Sequence, residues 1–435
     1  ESLRFTDFHV SPTCAPTRSA IMTGRHEFKN GVTHTIHERE RMTLEAVTLP
    51  QVLKSAGYTT GIFGKWHLGD EDPYQPNRRG FDEVFIHGAG GIGQSYVGSC
   101  GDAPGNKYFD PAIRHNGTFI KTQGYCTDLF FAQAKKWIGA QAKVGKPFFA
   151  YITPNAPHGP LVSPGPQYDA LYSGKAINGQ KLNDGAVAYY SMITNIDENV
   201  GSLRQELKSL GIANDTLLIF ISDNGGTHTR YFKAEQRGQK GSMYQGGTRS
   251  PAFWNWPGKI PSGVDCTALT VHIDIYRTLA ELAGANLSDK SQQQAEGRSM
   301  LPLLEYPQSE WAERTLITHV GRWQRGAAEK SKFAKCAIRN SRYSLVENKA
   351  LYDLKTDPGE STNVIESHPE VVAQLRHAYD IWWQETLPLM VNEDAVGPPV
   401  NPFKAAYWRQ FGDGPAKADD DGNGNPNRKK RGSSR

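Results

Sequence analysis

Short apolar runs alternate with longer amphipathic stretches along most of this chain. The runs at 58–63, 147–153 and 216–222 are rich in aromatic and β-branched residues, as buried strands are. The stretches at 49–56, 128–141, 186–210 and 272–283 repeat apolar residues at helical spacing. Asp128 is placed to cap its helix, and Gly211 to close the long one. Strands alternating with helices predict an α/β domain, with a mostly parallel central sheet flanked by helices. The pattern changes near residue 305. Segments 315–320 and 337–345 read as strands of a small antiparallel sheet, 351–360 as a turn and 368–386 as a helix. The expected organisation is a main domain over 1–310, a smaller α+β subdomain over 311–400, and a polar tail over 401–435, disordered from about 413.

Each of the three strands runs into a polar loop. The first is followed by Gly64-Lys65-Trp66-His67-Leu68-Gly69, and the second by Asn155-Ala156-Pro157-His158-Gly159-Pro160. The third runs into Asp223-Asn224-Gly225-Gly226. Ligands of open α/β sheets bind outside the carboxyl ends of strands. Lys65, His67, His158, Asp223 and Asn224 are therefore predicted to share one site. Taken singly, a lysine is usually solvated, a histidine structural and an Asp-Asn-Gly a turn. Their convergence on three strand ends argues against those readings.

Bulk composition changes this picture little. The 435 residues carry 49 Lys+Arg against 45 Asp+Glu, a net charge of +4. That balance points to neither nucleic acid nor a membrane surface. No apolar run is long enough to span a bilayer, and Arg428-Lys429-Lys430-Arg431 reads as a solvated tail. Asp419, Asp421, Asn423 and Gly424 match half of a calcium-binding EF-hand loop, but Lys430 stands where a bidentate Glu is required. Besides Cys14, Cys100, Cys126, Cys266 and Cys336 allow up to two disulfides or four free thiols. Asn116, Asn214 and Asn286 begin glycosylation triplets.

Cys14-Ala15-Pro16-Thr17-Arg18 resembles the maturation motif of the type I, formylglycine-dependent sulfatases of the alkaline phosphatase superfamily. The loops above follow it in the family's order, as does Lys240-Gly241-Ser242-Met243-Tyr244-Gln245-Gly246-Gly247-Thr248-Arg249. Leu351 to Asn363 is similar to the family's C-terminal subdomain, so the resemblance runs from residue 1 to about 390. It implies an arylsulfatase-like sulfuric ester hydrolase acting on an aryl or carbohydrate sulfate. By resemblance, a formylglycine-generating enzyme or an anaerobic maturase oxidises Cys14 to formylglycine. The hydrate's first hydroxyl attacks sulfur, and its second expels sulfate by C–O cleavage. Arg18 holds the hydrate, and Lys65 and Lys240 contact sulfate. His158 protonates the leaving alcohol, and His67 takes a proton from the hydrate. Asp223, Asn224 and modified Cys14 bind Ca²⁺, with Mg²⁺ the other candidate. His228 is a further candidate for substrate contact. Export to the periplasm, the extracellular space or a lysosome is implied as well.

One departure matters. The family places an Asp-Asp pair, supplying two more metal ligands, at the end of a central first strand ahead of the maturation motif. Here only Glu1 and Asp7 precede Cys14 as acids. The expectation is that this strand lies upstream, and that residues 1–435 alone are poorly stable and nearly inactive. Two other readings stay open: a phosphonate or phosphodiester hydrolase of the same superfamily, and a non-catalytic relative that binds sulfated glycans.

Overall fold

The computed structural model describes residues 1–412. The basic run at 428–431, the half-loop at 419–430 and the tail from 413 lie outside the described residues.

All three expected strands form, as Thr59–Lys65, Phe148–Thr153 and Leu218–Ile221. So do the four helices, as Leu49–Ser55, Cys126–Lys143, Asp184–Ser209 and Asp274–Leu282. Asp128 is not the cap of its helix: Tyr125 holds that position. The Asp128 carboxylate sits in the first turn, where it favours the helix dipole, and accepts from Asn195 and Asn199. Gly211 closes the long helix in the left-handed region, φ 72°.

The two largest sheets of the main domain are mixed and flanked by helices. One runs Thr118–Lys121, Ala112–His115, Glu83–His87, Thr59–Lys65, Phe148–Thr153, with its last three strands parallel. The other runs Leu218–Ile221, Ala252–Asn255, Leu3–Phe5, Val264–Cys266. Strand alternation sorts side chains into two layers. Ile62, Val84 and Ile86 face the helices that carry Met22, Val52 and Ile275. Phe63 and Phe85 face Phe130 and Ala134 on the opposite side.

The strands at 148–153 and 218–221 each have a ladder partner on one side only. Yet Phe149, Tyr151, Ile219 and Ile221 pack on one common core, and Phe148, Ala150, Ile152 and Leu218 on another. The division between the sheets therefore runs through the middle of the molecule and leaves unpaired edges there. Apolar side chains on both strands stay half-buried, and Phe220 is 38% exposed.

The C-terminal subdomain is a four-stranded antiparallel meander, Leu316–His319, Cys336–Arg339, Tyr343–Val346 and Ala350–Asp353, under the helix Pro369–Thr386. The expected strand at 337–345 is a hairpin, because the Asn340 side chain accepts from the backbone of Arg342 and Tyr343 and turns the chain. The expected turn at 351–360 opens as the fourth strand, whose Leu351 is buried in the subdomain core. Phe28, from the main domain, sits in that same core. All five cysteines are free and buried. Among the described residues no helix is long and apolar enough to cross a membrane.

Candidate active site

Cys14 opens the buried helix Cys14–Thr23 and is itself buried. Its Sγ lies 3.5 Å from His67 Nδ1. Burial pushes the thiol up, but Lys65, His67 and Lys240 outweigh it and hold the group well below its usual range. The pocket is thus built to carry an anion at residue 14.

Arg18 lies one turn along the same helix, which puts it on the same face. It donates to the Lys65 carbonyl at 2.7 Å and to Asp223 Oδ2 at 3.1 Å. Its buried Nε has no hydrogen-bond partner among the described residues. One side chain thereby ties the helix Cys14–Thr23 to the ends of two strands in different sheets. Lys65 is the last residue of its strand and is buried; burial, then Arg18 and Lys240, lower its pKa against Cys14 and Asp223.

His67 adopts a left-handed backbone, φ 63°. Its Nε2–H donates to the Thr35 carbonyl at 2.8 Å, which leaves Nδ1 to face Cys14. Burial lowers its pKa first, and Lys65 adds to this against Cys14. His158 is held the other way round: its Nδ1–H donates to the Gly159 carbonyl at 2.8 Å, which leaves Nε2 as the unprotonated nitrogen of the neutral ring. Burial, then Lys65 and Lys240, lower its pKa to about 4. The loop before it is locked by Asn155, which donates to Tyr108 at 2.6 Å.

Asp223 keeps its carboxylate charged well below the usual range. Burial opposes this, but Arg18, Lys65 and Lys240 prevail. Asn224 Oδ1 is buried and has no hydrogen-bond partner among the described residues. An orphan carbonyl beside a carboxylate suits a hard cation. Two protein oxygens are fewer than such an ion takes, and the described residues contain no group of three or more His, Cys, Asp or Glu placed for a metal. Lys240 is half-buried and interacts electrostatically with Cys14, His158 and Asp223, whereas Lys233 is exposed. His228 stacks on Tyr189, centroids 4.5 Å apart, beside Thr227 and Arg230. These contacts do not include the sulfur or the lysines. His34 and His37 line a neighbouring cavity with Arg322.

Several site residues escaped the sequence reading. Gly90 and Gly91 pack on the two histidines: a Cβ at Gly90 would lie 2.7 Å from His67 Cε1, and one at Gly91 2.7 Å from His158 Nδ1. The signal was present, since Gly88-Ala89-Gly90-Gly91 follows the strand Glu83–His87. Recognising that strand would have supplied a fourth strand-end loop. Thr35 and His87 had no such signal. His87 pairs with Lys65 across the ladder, with its buried Nε2 unpartnered.

Two lysines and two histidines from loops and a strand end, gathered around a helix-borne Cys14, define a hydrolase-like anion site on an α/β scaffold. The sulfatase family model matches residues 1–285, and the model described as N-sulphoglucosamine sulphohydrolase, C-terminal, matches 237–380. This chain belongs to the sulfatase family. It is similar to arylsulfatase J of Mus musculus, 31% identical over 67% of this chain and 48% of that protein. It is also similar to N-acetylgalactosamine-6-sulfatase of Homo sapiens, 30% identical over 70% of this chain and 59% of that one. The chain thus spans about half the length of these relatives. Ps i-CgsB, crystallised with a neocarrahexaose, shares the fold with a TM-score of 0.76 at 25% identity, over 94% of this chain and 89% of that one.

Proposed function

We propose that this chain carries the catalytic unit of a sulfuric ester hydrolase for carbohydrate sulfates. The observation that carries the reading is the convergence of Lys65, Lys240 and His67 on Cys14, where two lysines and a histidine favour negative charge at residue 14, with Arg18 interacting electrostatically with the same sulfur. Membership of the sulfatase family supports it, as does the likeness to a sulfatase and to an oligosaccharide-bound neighbour.

Cys14 Sγ stands in for the oxygen of the mature residue. Oxidised to formylglycine and hydrated, residue 14 supplies one hydroxyl to attack sulfur and another to release sulfate. A hard divalent cation, Ca²⁺ by preference, would be held by Asp223 and Asn224 together with further oxygens, and would supply positive charge to the bound sulfate. Lys65 and Lys240 bind the sulfate's peripheral oxygens and stabilise charge that grows there in the transition state. Arg18 fixes the helix that bears residue 14 and keeps Asp223 ionised. His67, anchored through Nε2–H, presents Nδ1 to take a proton from residue 14. His158, anchored through Nδ1–H, presents Nε2 to hand a proton to the leaving sugar oxygen. Maturation by a formylglycine-generating enzyme or anaerobic maturase, and export, belong to the same proposal.

Mass spectrometry of the tryptic peptide spanning residue 14, from protein made with a maturing enzyme, tests the first step. The expected product is aldehyde in place of thiol. Turnover of 4-nitrophenyl sulfate against 4-nitrophenyl phosphate and phenylphosphonate esters tests the second. Preference for either phosphorus ester would overturn the reading in favour of a phosphonate or phosphodiester hydrolase. Tight binding of sulfated glycan by fully matured protein with no turnover would replace it with a binding-only role.

A further inference from the structure

Beside the reaction centre lies a cavity of about 440 Å³ between the 34–39 loop and the 322–325 turn of the subdomain. His34, His37, Arg39, Arg322, Trp323 and Arg325 line it. The volume suits one sugar ring with its substituents. Its cations are not equivalent. Arg39 is paired with Glu393 at 3.0 Å and lies over the Trp323 ring. Arg325 lies 3.6 Å from Glu38. Arg322 alone among these three has no carboxylate partner among the described residues. Among the described residues its one side-chain hydrogen bond is to a neutral hydroxyl, Thr35 Oγ1 at 2.9 Å.

The backbone aims this guanidinium. Arg322 is left-handed, φ 58°, as are His37 and Glu38 in the 34–39 loop. Non-glycine residues persist there only where surroundings hold them. Here Arg322 N–H donates to the Thr33 carbonyl at 3.0 Å. Gly321 is so close to that carbonyl that a Cβ would lie 2.2 Å from it. His34 Nδ1 accepts from the backbone of Thr35 at 2.8 Å and of Ile36 at 3.2 Å, so Nε2 carries the proton. Burial, then Arg322 and Arg39, hold this imidazole down at about 3, and the ring is a neutral donor at neutral pH.

The cavity also connects to the chemistry. Thr35 accepts from Arg322 through its hydroxyl and from His67 through its carbonyl, and His67 faces Cys14. Arg322 and the Cys14 sulfur attract one another electrostatically. A polyanionic ligand anchored at residue 14 would therefore present its next group to Arg322.

We infer that this cavity binds a second sulfate on the saccharide whose scissile sulfate sits at residue 14, with Arg322 as the forked anchor and His34 Nε2–H as a second donor. The inference rests on the sulfatase reading and adds a substrate class: sugars carrying more than one sulfate. A planar guanidinium matches two sulfate oxygens at once, which an ammonium cannot do.

Isothermal titration calorimetry with D-glucosamine 6-O-sulfate and D-glucosamine-2-N,6-O-disulfate tests it on the native chain, R322A, R322K, H34F and K65A. Each variant's melting curve first establishes that it folds. The native chain is expected to prefer the disulfate. R322A should lose roughly 10- to 100-fold in affinity for the disulfate, the range of a charge-assisted hydrogen-bonded contact, and much less for the monosulfate. R322K should recover only part, and H34F should show the same selective loss, smaller in size. Equal losses for both sugars in R322A and H34F, or no preference in the native chain, would overturn the inference. K65A separates the two proposals. Loss of both sugars in K65A supports the sulfate site at residue 14; unchanged binding there, with the selective effect of R322A intact, removes the sulfatase reading but leaves an anion site.

Discussion

Arg18 offers the sharpest test of how this site is held together. Its guanidinium is 7% exposed and joins Asp223, 32% exposed, at 3.1 Å. Breaking a buried pair costs about 3–5 kcal/mol. Partial exposure of Asp223, and the attraction of Lys65 and Lys240 that remains, reduce this to about 2 kcal/mol. The bond to the Lys65 carbonyl, made by a charged donor, adds roughly 1–2 kcal/mol. Arg18→Ala should therefore destabilise the folded chain by about 3–4 kcal/mol, measured by urea unfolding. Asp223→Asn removes the same pair from the other side, so the two changes should be strongly non-additive, with a coupling of at least about 1 kcal/mol. The pH dependence has a definite sign. Asp223 titrates below its unfolded value, so its contribution is full above about pH 4 and is lost as pH falls towards the folded value. The gap between native and R18A should accordingly narrow below pH 4. Costs that add to within about 0.5 kcal/mol, or a gap that widens in acid, would refute the view that Arg18 acts through Asp223.

Four further outcomes follow from the geometry. Gly90→Ala and Gly91→Ala place a Cβ 2.7 Å from His67 and His158; each should lower kcat roughly 100-fold through misplacement of a histidine, while circular dichroism shows the fold retained. His158→Gln should cost about 10²–10⁴ in kcat on a sugar sulfate but far less on 4-nitrophenyl sulfate, whose leaving group needs little protonation. In the native protein kcat/KM for the sugar sulfate should fall as pH rises above about 4, since the acid must carry its proton and its pKa is held near 4. Calcium at about 100 times its Kd should raise stability by about 2.7 kcal/mol in differential scanning fluorimetry, EDTA should reverse the gain, and Asp223→Ala should abolish it.

Much of the site was legible because its residues sit at the ends of strands whose apolar cores are unmistakable. The run Leu217-Leu218-Ile219-Phe220-Ile221 announces a strand, and Asp223-Asn224 must then lie at its carboxyl end. The Cys14 motif and its followers were legible through resemblance. The strand Glu83–His87 was not read, and with it went the glycines that pack on both histidines.

Sequence alone determined the local elements, because helix and strand follow from the period of apolar side chains over a few residues. It also determined which loops carry chemistry. Tertiary structure decided what those loops do to one another. Only the fold brings Lys65, Lys240 and His67 around Cys14, pulling its thiol down against the burial that pushes it up. Only the fold chooses which ring nitrogen of His67 and of His158 is free, through carbonyls of Thr35 and Gly159. And only the docking of the 322–325 turn on the 34–39 loop leaves Arg322 without a carboxylate partner among the described residues, because charge balance in a cavity is set by neighbours far apart in the chain.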